Sequence, residues 1–248
     1  SGFLIANAIF LWYTSVSKQT VHIFRSAPGR ASRGPLRGGA AWNREKGKRT
    51  MEMLTKRALD IAHLFDVPRG EMTCEPYGTG HINDTFCLTV RPWTGSARRY
   101  ILQRVNRYVF PDPELMMGNI QRVTHYLRGV IAREGGDPAR ETLTLVRTMD
   151  GRPWLTDASG DLWRVYLFIE GTVSTDMPDT PERFASAGEA FGRFQRQLGG
   201  FDAATLHPTL PDFHNTPARL QQLTNAIGAD AVGRRAEVGE EIAFCMER

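Results

Sequence analysis

The amino-acid sequence predicts an α+β fold, an antiparallel β-sheet with one helix inserted in it and helices alone behind it. Three observations carry that reading. From Cys74 to Asn106, strand-forming runs are separated by glycine and proline turns rather than by helices. One long helical pattern interrupts the strands, at 112–135. After Gly171 only helical periodicity remains.

Residues 55–65 carry Ala58, Ile61, Ala62, Leu64 and Phe65 at helical spacing, and the helix should stop near Asp66 to Pro68. The stretch Glu75-Pro-Tyr-Gly-Thr-Gly-His-Ile-Asn-Asp-Thr-Phe86 follows, with strand-compatible residues on both sides. It reads as a hairpin whose turn uses Gly78 and Gly80 for backbone freedom. Either this is an ordinary turn, or its N–H groups let an anion approach closely. Residues 92–96 form a turn, and 99–106 alternate as a third strand.

Asp112 stands as an N-cap, with Pro113 at the first helical position and Glu114 favoured by the helix dipole. Leu115, Met116, Ile120, Val123, Leu127 and Ile131 continue this helix until Gly135-Gly136. Residues 142–147 read as a fourth strand, and 149–161 as two turns around a short one. Residues 162–171 (LWRVYLFIEG) give the strongest strand signal, a run expected to be central and buried. Thr180-Pro181 then opens a helix with the apolar stripe Phe184, Ala187, Ala190, Phe191, Phe194 and Leu198, closed by Gly199-Gly200. A polar, proline-containing segment spans 205–217, and 219–223 and 237–246 read as helical.

Composition sets limits on partners. Of the 248 residues, 41% are hydrophobic and 23% charged, the balance of a soluble globular protein. The net charge of +4 comes from the first fifty residues, with nine Lys/Arg against one Glu; residues 51–248 hold 22 Lys/Arg against 26 Asp/Glu. The body is therefore mildly acidic, which argues against a nucleic-acid-binding surface. Cys74, Cys87 and Cys245 form no CxxC and no zinc-like cluster, so free thiols and a cytoplasmic location are expected. Cys74 and Cys87 flank the hairpin as candidate neighbours in the sheet.

The apolar run 3–16 is short for a membrane span and lacks the basic flank of a signal peptide. Residues 25–50 have the Arg, Gly, Pro and Ala content of a linker. Residues 1–50 thus read as a disordered or non-native extension, with Met51 the expected start. A membrane anchor with a basic linker is the alternative, and no membrane contact is expected for 51–248.

Four ordered motifs carry a resemblance to a known family. They are Gly78-Thr-Gly-His-Ile-Asn-Asp-Thr-Phe86, Tyr100-Ile-Leu-Gln-Arg-Val-Asn106, Phe110-Pro-Asp-Pro-Glu-Leu-Met-Met-Gly-Asn-Ile120 and Asp212-Phe-His-Asn-Thr-Pro217. Over residues 55–248 the chain resembles the N-acetylhexosamine 1-kinases of the aminoglycoside-phosphotransferase-like superfamily. That resemblance implies a protein-kinase-like bilobal fold. Its antiparallel small lobe would span 51–171, and 172–248 would begin the helical large lobe. It implies transfer of the ATP γ-phosphoryl group to the anomeric hydroxyl of a small sugar substrate, with Mg²⁺ bridging the phosphates.

The site residues follow from the same resemblance. Gly78, Thr79, Gly80 and Thr85 would cover the phosphates, and Phe168, Ile169 and Glu170 would form the adenine hinge. On the third strand the phosphate partner is Gln103 or Arg104, since alternation lets only one face the nucleotide; charge and donor geometry favour Arg104. Glu114 is a candidate partner for that arginine, although the helix dipole accounts for it equally well. His81 and Asn83 are the candidate sugar contacts, because both donate and accept; an ordinary turn would use the same residues. Asp212 and His214 lie in a polar loop suited to a substrate-side or a structural role. Phe191 and Phe194 read as core.

Members of this superfamily carry a His-x-Asp-x-x-x-x-Asn loop and a following metal-binding Asp. Nothing after Gly171 has that pattern. The catalytic and metal residues are therefore expected beyond residue 248, and the chain is expected to be a C-terminally truncated, inactive piece. Other small-molecule kinases of the superfamily, acting on an aminoglycoside, choline or homoserine, are alternatives. So is a non-catalytic nucleotide-binding module.

Overall fold

The computed structural model of the chain describes residues 39–78, 82–172, 180–210 and 215–247, with side chains from Thr50 onward. Two compact units divide the chain, Ser1–Thr209 and Leu210–Arg248.

The first unit contains helix α1 (Gly39–Ala62) and strands β1 (Gly70–Pro76), β2 (Asp84–Pro92) and β3 (Arg98–Arg104). Helix α2 (Pro113–Arg133) and the single turn α3 (Pro138–Glu141) come next. Strands β4 (Leu145–Val146), β5 (Leu155–Thr156) and β6 (Leu162–Leu167) follow, and then helix α4 (Pro181–Gln197). The six strands form one antiparallel sheet in the order β1-β2-β3-β6-β4, with β5 pairing the start of β6. Strand β6 thus has neighbours on both sides, as its apolar run predicts.

Alternation gives the sheet two unlike faces. On one, Phe86, Leu88, Val90, Tyr100, Leu102, Trp163 and Val165 pack with Ala58, Ile61 and Ala62 of α1 and with Phe65 behind it. Each fully buried side chain of this kind contributes about 1.5–3 kcal/mol. The other face carries Thr85, Ile101, Gln103, Arg164 and Tyr166, all buried. Helix α2 meets this second face through Met117, whose sulfur lies 3.7 Å from Arg164 Nη1. Val123, Leu127 and Ile131 of α2 form a second core with Phe194, Leu198 and Leu206. Asn119 clamps that arrangement: its Nδ2 donates to the His207 carbonyl (2.7 Å) and its Oδ1 accepts from His207 N (3.0 Å).

Several expectations need correction. Helix α1 begins at Gly39, inside the stretch whose composition suggests a linker. Ala40, Ala41, Glu45, Lys46 and Lys48 are good helix formers, and no proline follows Pro35 until the helix has ended. Strand β4 has only two residues because the 142–148 stretch divides its backbone bonds. Its Thr144 carbonyl accepts from Leu167, whereas its Arg147 carbonyl accepts from Asp66. In α4 only Ala187, Phe194 and Gln197 are buried; Phe184 is 59% exposed and Ala190 is exposed. Asp112 occupies the α2 N-cap position but makes no side-chain capping bond.

Cys74 pairs across from Leu88 and Cys87 across from Glu75. The two cysteines lie on adjacent strands but on opposite faces, so they cannot bridge, and all three thiols are free. Burial pushes the Cys74 thiol up to about 12. No helix among the described residues is long and apolar enough to cross a membrane.

The second unit holds α5 (Thr216–Ala229) and α6 (Gly239–Met246). Asn215 Oδ1 caps α5 by accepting from Ala218 N (3.1 Å), and Asp230 ends it in the left-handed region at φ 37°. Neither helix has a buried residue.

Candidate functional site

The β1–β2 hairpin is regular as far as the Pro76–Phe86 pair, and Tyr77 N extends it by donating to the Thr85 carbonyl (2.8 Å). Gly78 then turns the chain at φ 76°, where a side chain is disfavoured. Thr79, Gly80 and His81, assigned above to phosphates and sugar, lie outside the described residues, as do Asp212 and His214.

On the second face of the sheet runs a directed chain of hydrogen bonds. Arg164 Nε and Nη2 both donate to Gln103 Oε1, at 3.0 and 2.7 Å. Gln103 Nε2 donates to Thr85 Oγ1 (2.9 Å), and Thr85 Oγ1 donates onward to the Asn83 carbonyl (3.4 Å). The register makes this possible, since Gln103 is paired with Thr85 on one side and Arg164 on the other. All four residues are buried. Burial lowers the proton affinity of the Arg164 guanidinium from its ordinary value.

The two third-strand candidates part here. Gln103 lies on the face with Thr85, whereas Arg104 lies on the α1 face. Arg104 Nε and Nη2 donate to Asp84 Oδ2, at 2.9 and 2.7 Å, and Nη1 donates to Asp161 Oδ2 (3.2 Å). Burial works against its charge, but Asp84 and Asp161 together raise its proton affinity above the ordinary value. Asp161 also pairs with Arg57 of α1 (3.0 Å). Arg57 reaches Asp157 as well, and that carboxylate accepts from Trp163 Nε1 (2.7 Å). The charge that favours Arg104 in the sequence is thus committed to two carboxylates. Glu114 is exposed, and Arg104's ion pairs among the described residues are with Asp84 and Asp161.

Asn83 is buried, and its Oδ1 accepts from Asn106 N (3.0 Å). Its acceptor therefore ties the foot of the hairpin to the exit of β3. At the end of β6, the Phe168 ring packs edge-on against Tyr77 at 5.6 Å, beside Ile101, Leu143, Leu145 and Tyr166. The Arg99 guanidinium sits 3.9 Å over that ring and pairs with Glu170. The bonds to Arg99 hold the Glu170 carboxyl below its usual range. Backbone groups of the turn are partly engaged: Phe168 N donates to the Arg99 carbonyl (3.2 Å). The Ile169 carbonyl accepts from Thr172 Oγ1 (2.9 Å), and the Glu170 carbonyl from Arg140 Nη1 (3.1 Å).

The second face of the sheet thus pairs an apolar, aromatic half (Tyr77, Ile101, Phe168) with a polar half (Thr85, Gln103, Arg164). Among the described residues no group of three or more His, Cys, Asp or Glu could hold a metal ion. Sequence reasoning missed Arg164. The signal was a lone cation inside the most apolar strand, where an inward charge needs an explanation. No protein-family model matches the chain.

Proposed function

We propose that this face is the nucleotide site of an ATP-dependent phosphotransferase, a sugar 1-kinase acting on the anomeric hydroxyl of N-acetylhexosamines. The observation that carries the proposal is the joint layout: an antiparallel sheet with a helix inserted after its third strand, and a hairpin that turns at Gly78 and whose second arm sets Thr85 beside Gln103. In the kinase-like architecture these elements take the phosphate-covering, phosphate-contacting and hinge roles. Adenine would lie on Tyr77, Ile101 and Phe168, with its polar edge towards the backbone at Ile169 and Glu170. The triphosphate would run towards the hairpin tip. The described residues offer no carboxylate cluster for Mg²⁺, so no step is assigned to the metal.

The chain contains no His-x-Asp-x-x-x-x-Asn sequence. The proposal therefore gives it the nucleotide-binding part of the reaction and predicts binding without turnover. That same absence favours a second reading, a nucleotide-binding module with no transfer activity. Isothermal titration of the purified chain with ATP and Mg²⁺ should show a single saturable site. A coupled assay with N-acetylglucosamine or N-acetylgalactosamine should show no sugar-dependent ATP consumption. A flat titration would sink the nucleotide reading, and clear turnover would overturn the site assignment.

A further inference from the structure

Arg164 is 1% exposed, on a strand otherwise built of apolar and aromatic residues. Such a charge is costly to bury, so what it does for its neighbours matters. Arg is a donor only. The Gln103 atom facing it must therefore be the carbonyl oxygen Oε1, and both Nε and Nη2 are satisfied there. That fixes the amide: Nε2 can only point the other way, at Thr85 Oγ1. Thr85 is then an acceptor towards Gln103, which directs its own proton to the Asn83 carbonyl. The polarity of the whole chain, from β6 across β3 to the foot of the glycine hairpin, is set at Arg164.

We infer that Arg164 is a positioning residue for the nucleotide site, acting through Gln103 and Thr85 to hold the second arm of the glycine hairpin in register with β3. This rests on the nucleotide reading above, but its geometry can be tested apart from it. A neutral residue at 164 would let the Gln103 amide flip and present Oε1 to Thr85. A lysine would keep the charge but lose the paired donors. Met117 packs on the same guanidinium, so α2 helps to hold it in place.

Two measurements on the purified chain separate the possibilities. The first needs no nucleotide. In ¹H–¹⁵N spectra, Arg164→Lys should move the backbone amides of Asn83 and Thr85 and the Gln103 side-chain amide, and leave those of Glu71 and Met72 in place. Unmoved Asn83 and Thr85 amides in a folded variant would overturn the inference.

The second is a double-mutant cycle on the affinity for a non-hydrolysable ATP analogue with Mg²⁺. Arg164→Lys and Thr85→Val should each weaken binding by about tenfold, and the pair by little more than either, because both break one chain. Additive losses, about a hundredfold for the pair, would show two independent structural effects and overturn the inference. Should Arg164→Lys fail to fold, Gln103→Met takes its place in the cycle. If the wild-type chain binds no analogue while the amides still move, the nucleotide reading falls and the hairpin-positioning role stands.

Discussion

Replacing Arg104 by Met separates a structural cation from a ligand-binding one. The substitution keeps the apolar stem and removes the guanidinium that holds Asp84 and Asp161. The three side chains are part-exposed, at 29% for Arg104, 37% for Asp84 and 24% for Asp161. Solvent screening therefore limits each pair to about 0.5–1 kcal/mol. Asp161 keeps Arg57 at 3.0 Å, while Asp84 has Arg104 as its ion-pair partner among the described residues. The loss should total about 1–2 kcal/mol. In urea, with a slope of about 2 kcal/mol per molar, the unfolding midpoint should fall by roughly 0.5–1 M. In 1 M salt, where the screening length is about 3 Å, the difference from wild type should shrink.

Nucleotide affinity should stay within about twofold, because Arg104 lies on the α1 face and Gln103 on the opposite face proposed for the nucleotide. The contrary result is specific. A drop in affinity of tenfold or more, about 1.4 kcal/mol, with an unchanged urea midpoint would return Arg104 to the phosphate role that its charge suggests.

Gly78→Ala places a side chain at φ 76° and should cost about 1–2 kcal/mol in thermal stability while weakening nucleotide binding; an unchanged melt would remove the positive φ from the account of the hairpin. Asn119→Ala deletes both bonds to the His207 backbone and should destabilise by about 1–3 kcal/mol in urea, since those groups are left without their partner. The raised Cys74 value makes a pH prediction: well below pH 9 the thiol is neutral in both states, so it adds no slope. Between about 9 and about 12 only the unfolded chain ionises, so stability should fall with rising pH, and Cys74→Ser should flatten that part of the profile. In the native chain at pH 8, Cys74 should also react with iodoacetamide far more slowly than in urea.

The sequence specified elements where local chemistry and packing agree. Pro113 and Glu114 start α2 and Gly135-Gly136 follow its end, and Thr180-Pro181 opens α4 with the Thr180 side chain accepting from Arg183 N. The hairpin was legible because its alternating strands and its glycines make the same demand. It could not show how the 142–148 stretch shares its backbone bonds between β6 and the segment after α1. Nor could it show that Phe184 and Ala190 of the α4 stripe lie open while Ala187 between them is buried. Both depend on partners far away in the chain. The helical start at Gly39 was hidden because its glycines and arginines also suit a linker.

By itself, then, the sequence determined the strand–helix–strand order, the place of the turn at Gly78 and the burial of 162–166, although not of the rest of the 162–171 run, where 167–169 are half-buried and Glu170 and Gly171 exposed. These follow from periodicity and from the few residues that tolerate unusual backbone angles. Only the tertiary structure decided which of Gln103 and Arg104 lies on the face covered by α1, and it decided by register. Thr85, Gln103 and Arg164 stand abreast on three neighbouring strands, while Asp84 and Asp161 reach Arg104 on the face covered by α1. Charge alone favours Arg104, because an isolated side chain is ranked by what it can bind. In the folded sheet a side chain is committed to whatever lies opposite it.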